Sequence, residues 1–140
     1  ISNPTVDGPM RSLYMALKDA GLQASEIDYI NAHATSTPAG DSSEAKAIHE
    51  VFGAHKPFVS STKSMTGHEC WMAGASEVIY SMLMMQNGFL APNINFENPD
   101  EDSAKLNIVK SVIEKDIVVF LSNSFGFGGT NSSLIIRKMN

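Results

Sequence analysis

Three short apolar runs, Ile27–Asn31, Phe58–Ser61 and Ile117–Leu121, each give way to small, polar, turn-forming residues, and segments of helical period lie between them. A run of four or five such residues suits a strand and is too short for a helix, so the pattern restricts the chain to strands that end in loops and are connected by helices. The spacing predicts a first helix through Leu13, Ala16, Leu17 and Ala20, closed by Gly21 as a C-cap. A second starts at Asp41, read as an N-cap with Glu44 three residues on, and runs through Ala45, Ile48, Val51 and Phe52 to Gly53. A third covers Ala73 to Asn87 and stops at Gly88. Leu106–Val109 and Asn131–Lys138 read as further strands, the last paired behind Gly126-Phe127-Gly128-Gly129. The expected fold class is therefore α/β, a mixed sheet covered by helices. Sites in open α/β sheets gather beyond strand ends, which is where the loops Asn31–Thr37, Thr62–His68 and Asn123–Gly129 fall.

With 140 residues and 43% hydrophobic content, residues 1–140 are expected to form one unit around a buried core. Ten basic against 15 acidic residues, a net charge of −5, oppose a phosphate-backbone binder, so nucleic acid is not an expected partner. No apolar run approaches the roughly 20 residues of a membrane-spanning helix, and no membrane association is expected. The single cysteine, Cys70, excludes an internal disulfide and a cysteine-based zinc cluster, and fits a reducing cytoplasm, the expected location. Ile1-Ser2-Asn3-Pro4 carries no signal-peptide pattern and reads as a turn cut from inside a longer protein.

Among four histidines, His33 and His68 sit in small, polar, turn-rich sequence, whereas His49 falls mid-helix and His55 in a surface turn. A lone histidine is more often packing or surface than catalytic. Two imidazoles aimed at one carbonyl, however, are suited to stabilise an enolate near neutral pH. Lys63, five residues before His68, is either a surface lysine or a charge that keeps a nearby imidazole neutral. The stretch Asn123 to Asn131 offers backbone N–H groups to an anion, although a tight β-hairpin accounts for its composition better, and it lacks a nucleotide-loop ending. Cys70 reads as a buried, inert thiol in preference to a nucleophile. A zinc site from His33, His68 and Glu77 lacks any compact ligand spacing, so no metal centre is expected.

Three blocks, Asn31-Ala32-His33-Ala34-Thr35-Ser36-Thr37-Pro38-Ala39-Gly40-Asp41, Ser60-Ser61-Thr62-Lys63-Ser64-Met65-Thr66-Gly67-His68 and Ser122-Asn123-Ser124-Phe125-Gly126-Phe127-Gly128-Gly129-Thr130-Asn131, come in that order. Together they resemble β-ketoacyl-acyl carrier protein synthases of the two-histidine, chain-elongating kind over nearly the whole chain, leaning to type I in the segment from Gly88-Phe89-Leu90-Ala91-Pro92 to Leu106-Asn107-Ile108-Val109. The resemblance implies the C-terminal half of a thiolase-like fold, with the N-terminal half and its nucleophilic cysteine absent. It implies an acyltransferase of fatty acid biosynthesis, a cytoplasmic homodimer acting on acyl and malonyl thioesters carried by acyl carrier protein. The reaction would be decarboxylative Claisen condensation, and this fragment alone would be inactive in it.

Carried over by motif, the resemblance makes His33 and His68 the enolate-stabilising pair and Lys63 the residue that tunes and orients them. The Phe127 backbone N–H would serve an oxyanion hole and its ring would gate the acyl pocket, with Phe125 also on the substrate. Thr35 and Thr37 match positions that bind the phosphopantetheine arm, and no resident cofactor is implied. Glu77 matches a buried carboxylate that pairs with the lysine or helps hold a structural monovalent cation near Asn31, Ser122 and Asn123. After His68 the family usually has small apolar residues, whereas this chain has Glu69-Cys70-Trp71-Met72. An alternative parent is a non-condensing, chain-length-factor-like partner subunit of the same fold. Separated from its partner half, the chain is expected to expose an apolar face.

Overall fold

A computed structural model describes residues 4–139, so the Asn3-Pro4 turn extends outside the described residues. Helix α1 (Asp7–Ala20) buries Leu13 and Leu17 and ends at Gly21, whose φ of 64° lets its N–H cap the carbonyls of Leu17 and Lys18. Strand β1 (Tyr29–Asn31) is buried throughout and leads into α2 (Pro38–Phe52). Next come β2 (Phe58–Ser60), the single turn α3 (Lys63–Thr66) and α4 (Ala73–Asn87), which stops at Gly88 in the left-handed conformation. The short strands β3 (Phe89–Leu90), β4 (Asn107–Ile108) and β5 (Ile113–Glu114) precede the long hairpin of β6 (Val119–Phe125) and β7 (Asn131–Arg137).

The main sheet has the order β4-β2-β1-β6-β7, and β3 pairs with β5 in a separate antiparallel ribbon. Strands β4, β2, β1 and β6 are parallel and β7 is antiparallel to β6, so the sheet is mixed, as expected. The period of two along the strands sends alternate residues to opposite faces. Ile30, Val59, Val119 and Leu121 pack with Leu13, Leu17, Ile48 and Phe52 of α1 and α2. Tyr29 and Phe120 pack with Met84 and Met85 of α4 and with Leu90, Val109 and Ile117. The central strands are thus covered on both faces, which explains why they read as continuous apolar runs. Among the described residues no helix is long and apolar enough to cross a membrane.

Four local expectations need correction. Helix α2 begins at Pro38, not Asp41, with Thr37 at the N-cap, because proline at the first helical position needs no N–H partner and has φ already set. Glu44 therefore lies inside the helix and turns inward instead of forming a capping box. Lys63 opens α3 rather than lying in an open loop. Asn123 belongs to β6, which continues to Phe125 because β7 pairs along it from Phe125–Asn131 to Val119–Arg137. The glycine-rich segment is indeed the turn of a hairpin, with Gly128 and Gly129 at φ of 79° and 82° and the Gly126 N–H bonded to the Thr130 carbonyl at 2.7 Å.

Candidate active site

The parallel strands β1, β2 and β6 bring their carboxyl ends to one edge of the sheet, and His33, Lys63 and His68 follow from the first two. His33 and His68 meet edge to face, ring centroids 5.6 Å apart and planes at 86°. Phe125, at the end of β6, tilts against His33 at 6.1 Å between centroids. Phe127 instead stands 87% exposed on the hairpin turn. The two histidines thus come together from loops 35 residues apart because the strands before them are hydrogen-bonded neighbours.

Burial, then the positive charge of Lys63 and then the neighbouring His68 lower the His33 pKa to about 4, so its imidazole is neutral across the physiological range. The His68 Nδ1 accepts a hydrogen bond from the Cys70 N–H at 3.1 Å, and a neutral imidazole that accepts at Nδ1 carries its proton on Nε2. His68 is itself exposed. Cys70 itself is exposed, not buried, because it occupies a turn at φ of 46° that keeps its side chain off the core.

Beneath the histidines lie two buried carboxylates, one in each helical layer. On the α4 side, Lys63 Nζ is paired with Glu77 Oε1, both side chains almost wholly buried. Asn31 joins this cluster, donating from Nδ2 to Ser81 Oγ at 3.1 Å and to the Glu77 carbonyl at 3.3 Å. On the α2 side, Glu44 accepts from the backbone N–H groups of His33 at 2.9 Å and Ala34 at 2.8 Å. It also accepts from Asn123 Nδ2 at 3.0 Å, while Asn123 Oδ1 accepts from Ser133. Desolvation raises the pKa of both carboxyl groups, against the pull of these donors.

Sequence reading missed Glu44, whose usable signal was a carboxylate on the apolar face of a helix. It also missed Tyr80, the single aromatic of α4, which sits in an otherwise aliphatic, Met-rich stretch. The hydroxyls of Thr35 and Thr37 lie 3.2 Å apart at the surface. A cavity of about 490 Å³ opens beside Thr35, Lys63 and His68. Of the residues assigned to a monovalent cation, Asn31 Oδ1 and Asn123 Oδ1 already accept hydrogen bonds. Glu77 Oε2 and Ser122 Oγ are buried without a partner, and β1–β6 pairing sets Ser122 beside Asn31, so the cluster retains oxygens that fit such an ion. Among the described residues His33, His68 and Glu77 are not gathered as a metal-binding group.

The sequence matches the family described as "Beta-ketoacyl synthase, C-terminal domain" over residues 1–97. It is 48% identical over 136 residues to 3-oxoacyl-[acyl-carrier-protein] synthase 1 of Escherichia coli (strain K12), covering 97% of this chain and 33% of the relative. It is 45% identical over 139 residues to 3-oxoacyl-[acyl-carrier-protein] synthase 2 of Coxiella burnetii (strain RSA 493 / Nine Mile phase I), covering 98% and 34%. Among solved structures, the ishigamide ketosynthase/chain length factor superposes with a TM-score of 0.94 at 37% identity, over 99% of this chain and 34% of that one. A type II polyketide synthase acyl-carrier protein in complex with its ketosynthase, AntDE:AntF, gives 0.92 at 34% identity, over 99% and 35%. The chain spans about a third of the length of the curated relatives it matches. With its paired histidines at parallel strand ends and this sequence likeness, the chain belongs to the beta-ketoacyl synthase family and has the α/β fold of that family's C-terminal, thiolase-like half.

Proposed function

We propose that this chain is the C-terminal part of a 3-oxoacyl-acyl carrier protein synthase and supplies the decarboxylation half of its active site. The observation that carries the reading is the pair of imidazoles at 5.6 Å, one held neutral by burial and Lys63, the other fixed by Cys70 with its proton on Nε2. Two imidazole N–H donors aimed at one thioester carbonyl stabilise the negative charge that develops as carbon dioxide leaves a malonyl group. The resulting carbanion attacks an acyl thioester held on a cysteine of the preceding part of the parent. The malonyl carbonyl would sit between the rings, with Phe125 behind His33 and the Phe127 N–H serving the acyl-transfer oxyanion. The Phe127 ring, free on its hairpin turn, would gate the acyl pocket.

Thr35 and Thr37 would hold the phosphopantetheine arm of acyl carrier protein; the cavity lined by Thr35, and the contact of the Thr37 hydroxyl with that of Thr35, support the assignment. A monovalent cation beside Glu77 and Ser122 would offset a buried site that otherwise holds two carboxylates and one lysine. Residues 1–140 would form one domain of a cytoplasmic, homodimeric parent. The test is condensation by the parent from acyl and malonyl carrier-protein substrates. His33→Ala and His68→Ala should lose the β-ketoacyl product while still loading the acyl group.

A second reading, a chain-length-factor-like partner subunit, is favoured by the likeness to the ishigamide ketosynthase/chain length factor. It requires that the parent neither load an acyl group nor condense on its own.

A further inference from the structure

The segment between His68 and α4 carries a contact that the decarboxylation scheme leaves unused. The Tyr80 hydroxyl, on α4, donates to Glu69 Oε1 at 3.0 Å, and Glu69 Oε2 is buried without a partner. Glu69 directly follows His68, and its carbonyl accepts from the Met72 N–H at 3.2 Å to close a tight turn. Within that turn Cys70 holds a φ of 46°, a conformation a non-glycine residue keeps only where its surroundings over-determine it. The N–H that this strained residue presents is the one bonded to His68 Nδ1. Helix α4 is itself fixed under the site, because Glu77 pairs with Lys63 and Ser81 bonds Asn31.

We infer that Glu69 and Tyr80 are a positioning pair for His68: their hydrogen bond ties the His68 turn to α4 and holds the Cys70 N–H against Nδ1, keeping the imidazole proton on Nε2. A carboxylate–phenol bond suits this task, since charge-assisted hydrogen bonds are shorter and stronger than neutral ones. Without it, the turn is free to relax the positive φ, the Cys70 N–H swings away, and His68 populates both tautomers. Half-populated tautomers and a misaimed ring lower the rate of decarboxylation without changing how tightly the malonyl thioester binds.

The inference rests on the proposed role of His68, and the experiment separates the two. In the full-length parent, carbon dioxide release from a malonyl thioester is measured for wild type, His68→Ala, Tyr80→Phe, Glu69→Ala and Glu69→Gln, with the ¹⁵N signal of His68 Nδ1 followed in each. Tyr80→Phe and Glu69→Ala should each lower kcat about tenfold with KM within about twofold, the fold-change expected from one charge-assisted bond. A double variant combining Tyr80→Phe with Glu69→Ala, measured alongside them, should be no slower than either single one, and Glu69→Gln, which still accepts from the phenol, should recover most of the rate. The Nδ1 signal should move from an unprotonated toward a protonated position in the two disabling variants. Unchanged kcat and Nδ1 signal in both, with His68→Ala inactive, overturn the positioning pair alone. A fully active His68→Ala variant overturns the decarboxylation role, and the Nδ1 signal then still decides whether the pair orients the ring. Should Tyr80→Phe fail to fold, Glu69→Ala makes the same comparison.

Discussion

Combining Lys63→Met with Glu77→Gln, so that both members of the buried pair lose their charge together, tests how the site keeps His33 neutral. The lysine cannot be removed alone, because an unpaired buried carboxylate would destabilise the fold by about 3–5 kcal/mol and add a new charge near the imidazole. The double replacement removes both charges at similar volume. His33 lies at about 4 against an ordinary 6.5, with burial the largest cause, Lys63 second and His68 third. A second-ranked cause supplies no more than half of that drop, so removing Lys63 should raise the His33 midpoint by at most about 1.2, to roughly 5. The assay is a pH titration of the His33 ring Cε1–H by NMR in wild type and K63M/E77Q. A wild-type midpoint near 6.5 would refute the burial argument. A variant midpoint unchanged or lower would refute the role of Lys63. The sign for stability follows: the unfolded chain binds this proton more readily, so His33 adds stability at neutral pH that is lost as pH falls from about 6.5 toward 4.

Glu44→Ala should destabilise the fold by several kcal/mol, since it strands one buried and two part-buried donors at about 1–3 kcal/mol each, whereas Glu44→Gln should lose about one such bond; chemical denaturation ranks the two. Gly67, at φ 74° and ψ −176°, lies in a region open almost only to glycine, so Gly67→Ala should lower stability by about 1–3 kcal/mol and displace His68, read by melting temperature and parent kcat. A Cβ on Gly40 would lie 2.5 Å from Thr37 Oγ1, so Gly40→Ala should push that hydroxyl aside and raise the parent's KM for carrier-protein substrate more than it changes kcat. Ile79, Met82 and Leu83 form an exposed apolar stripe on α4 beside exposed Met72 and fully exposed Trp71, so the isolated chain should self-associate, and Ile79→Asp with Leu83→Asp should reduce this in sedimentation.

Much of this site was legible because its histidines lie in the segments that follow short apolar strands, and parallel strands deliver their ends to one edge whatever the intervening sequence. Helix ends at Gly21 and Gly88 were legible for a comparable local reason, the left-handed cap. What escaped was chosen by tertiary partners. Glu44 looked like a capping residue by spacing, but the loop it braces supplies two part-buried N–H groups that outcompete a cap already made unnecessary by Pro38. Cys70 looked buried by residue type, and only its positive φ, set by the turn it closes, turns it outward. The extension of β6 to Phe125 depended on β7, whose pairing is not local until the hairpin has formed.

The central claim, that His33 and His68 together stabilise the enolate formed on decarboxylation, is tested most directly by carbon dioxide release from malonyl-acyl carrier protein by the parent. Wild type, His33→Ala and His68→Ala are compared at saturating substrate. Loss of one donor to a developing oxyanion should slow release about 10²- to 10³-fold in each variant, with acyl loading retained. Release at the wild-type rate from either variant would contradict it.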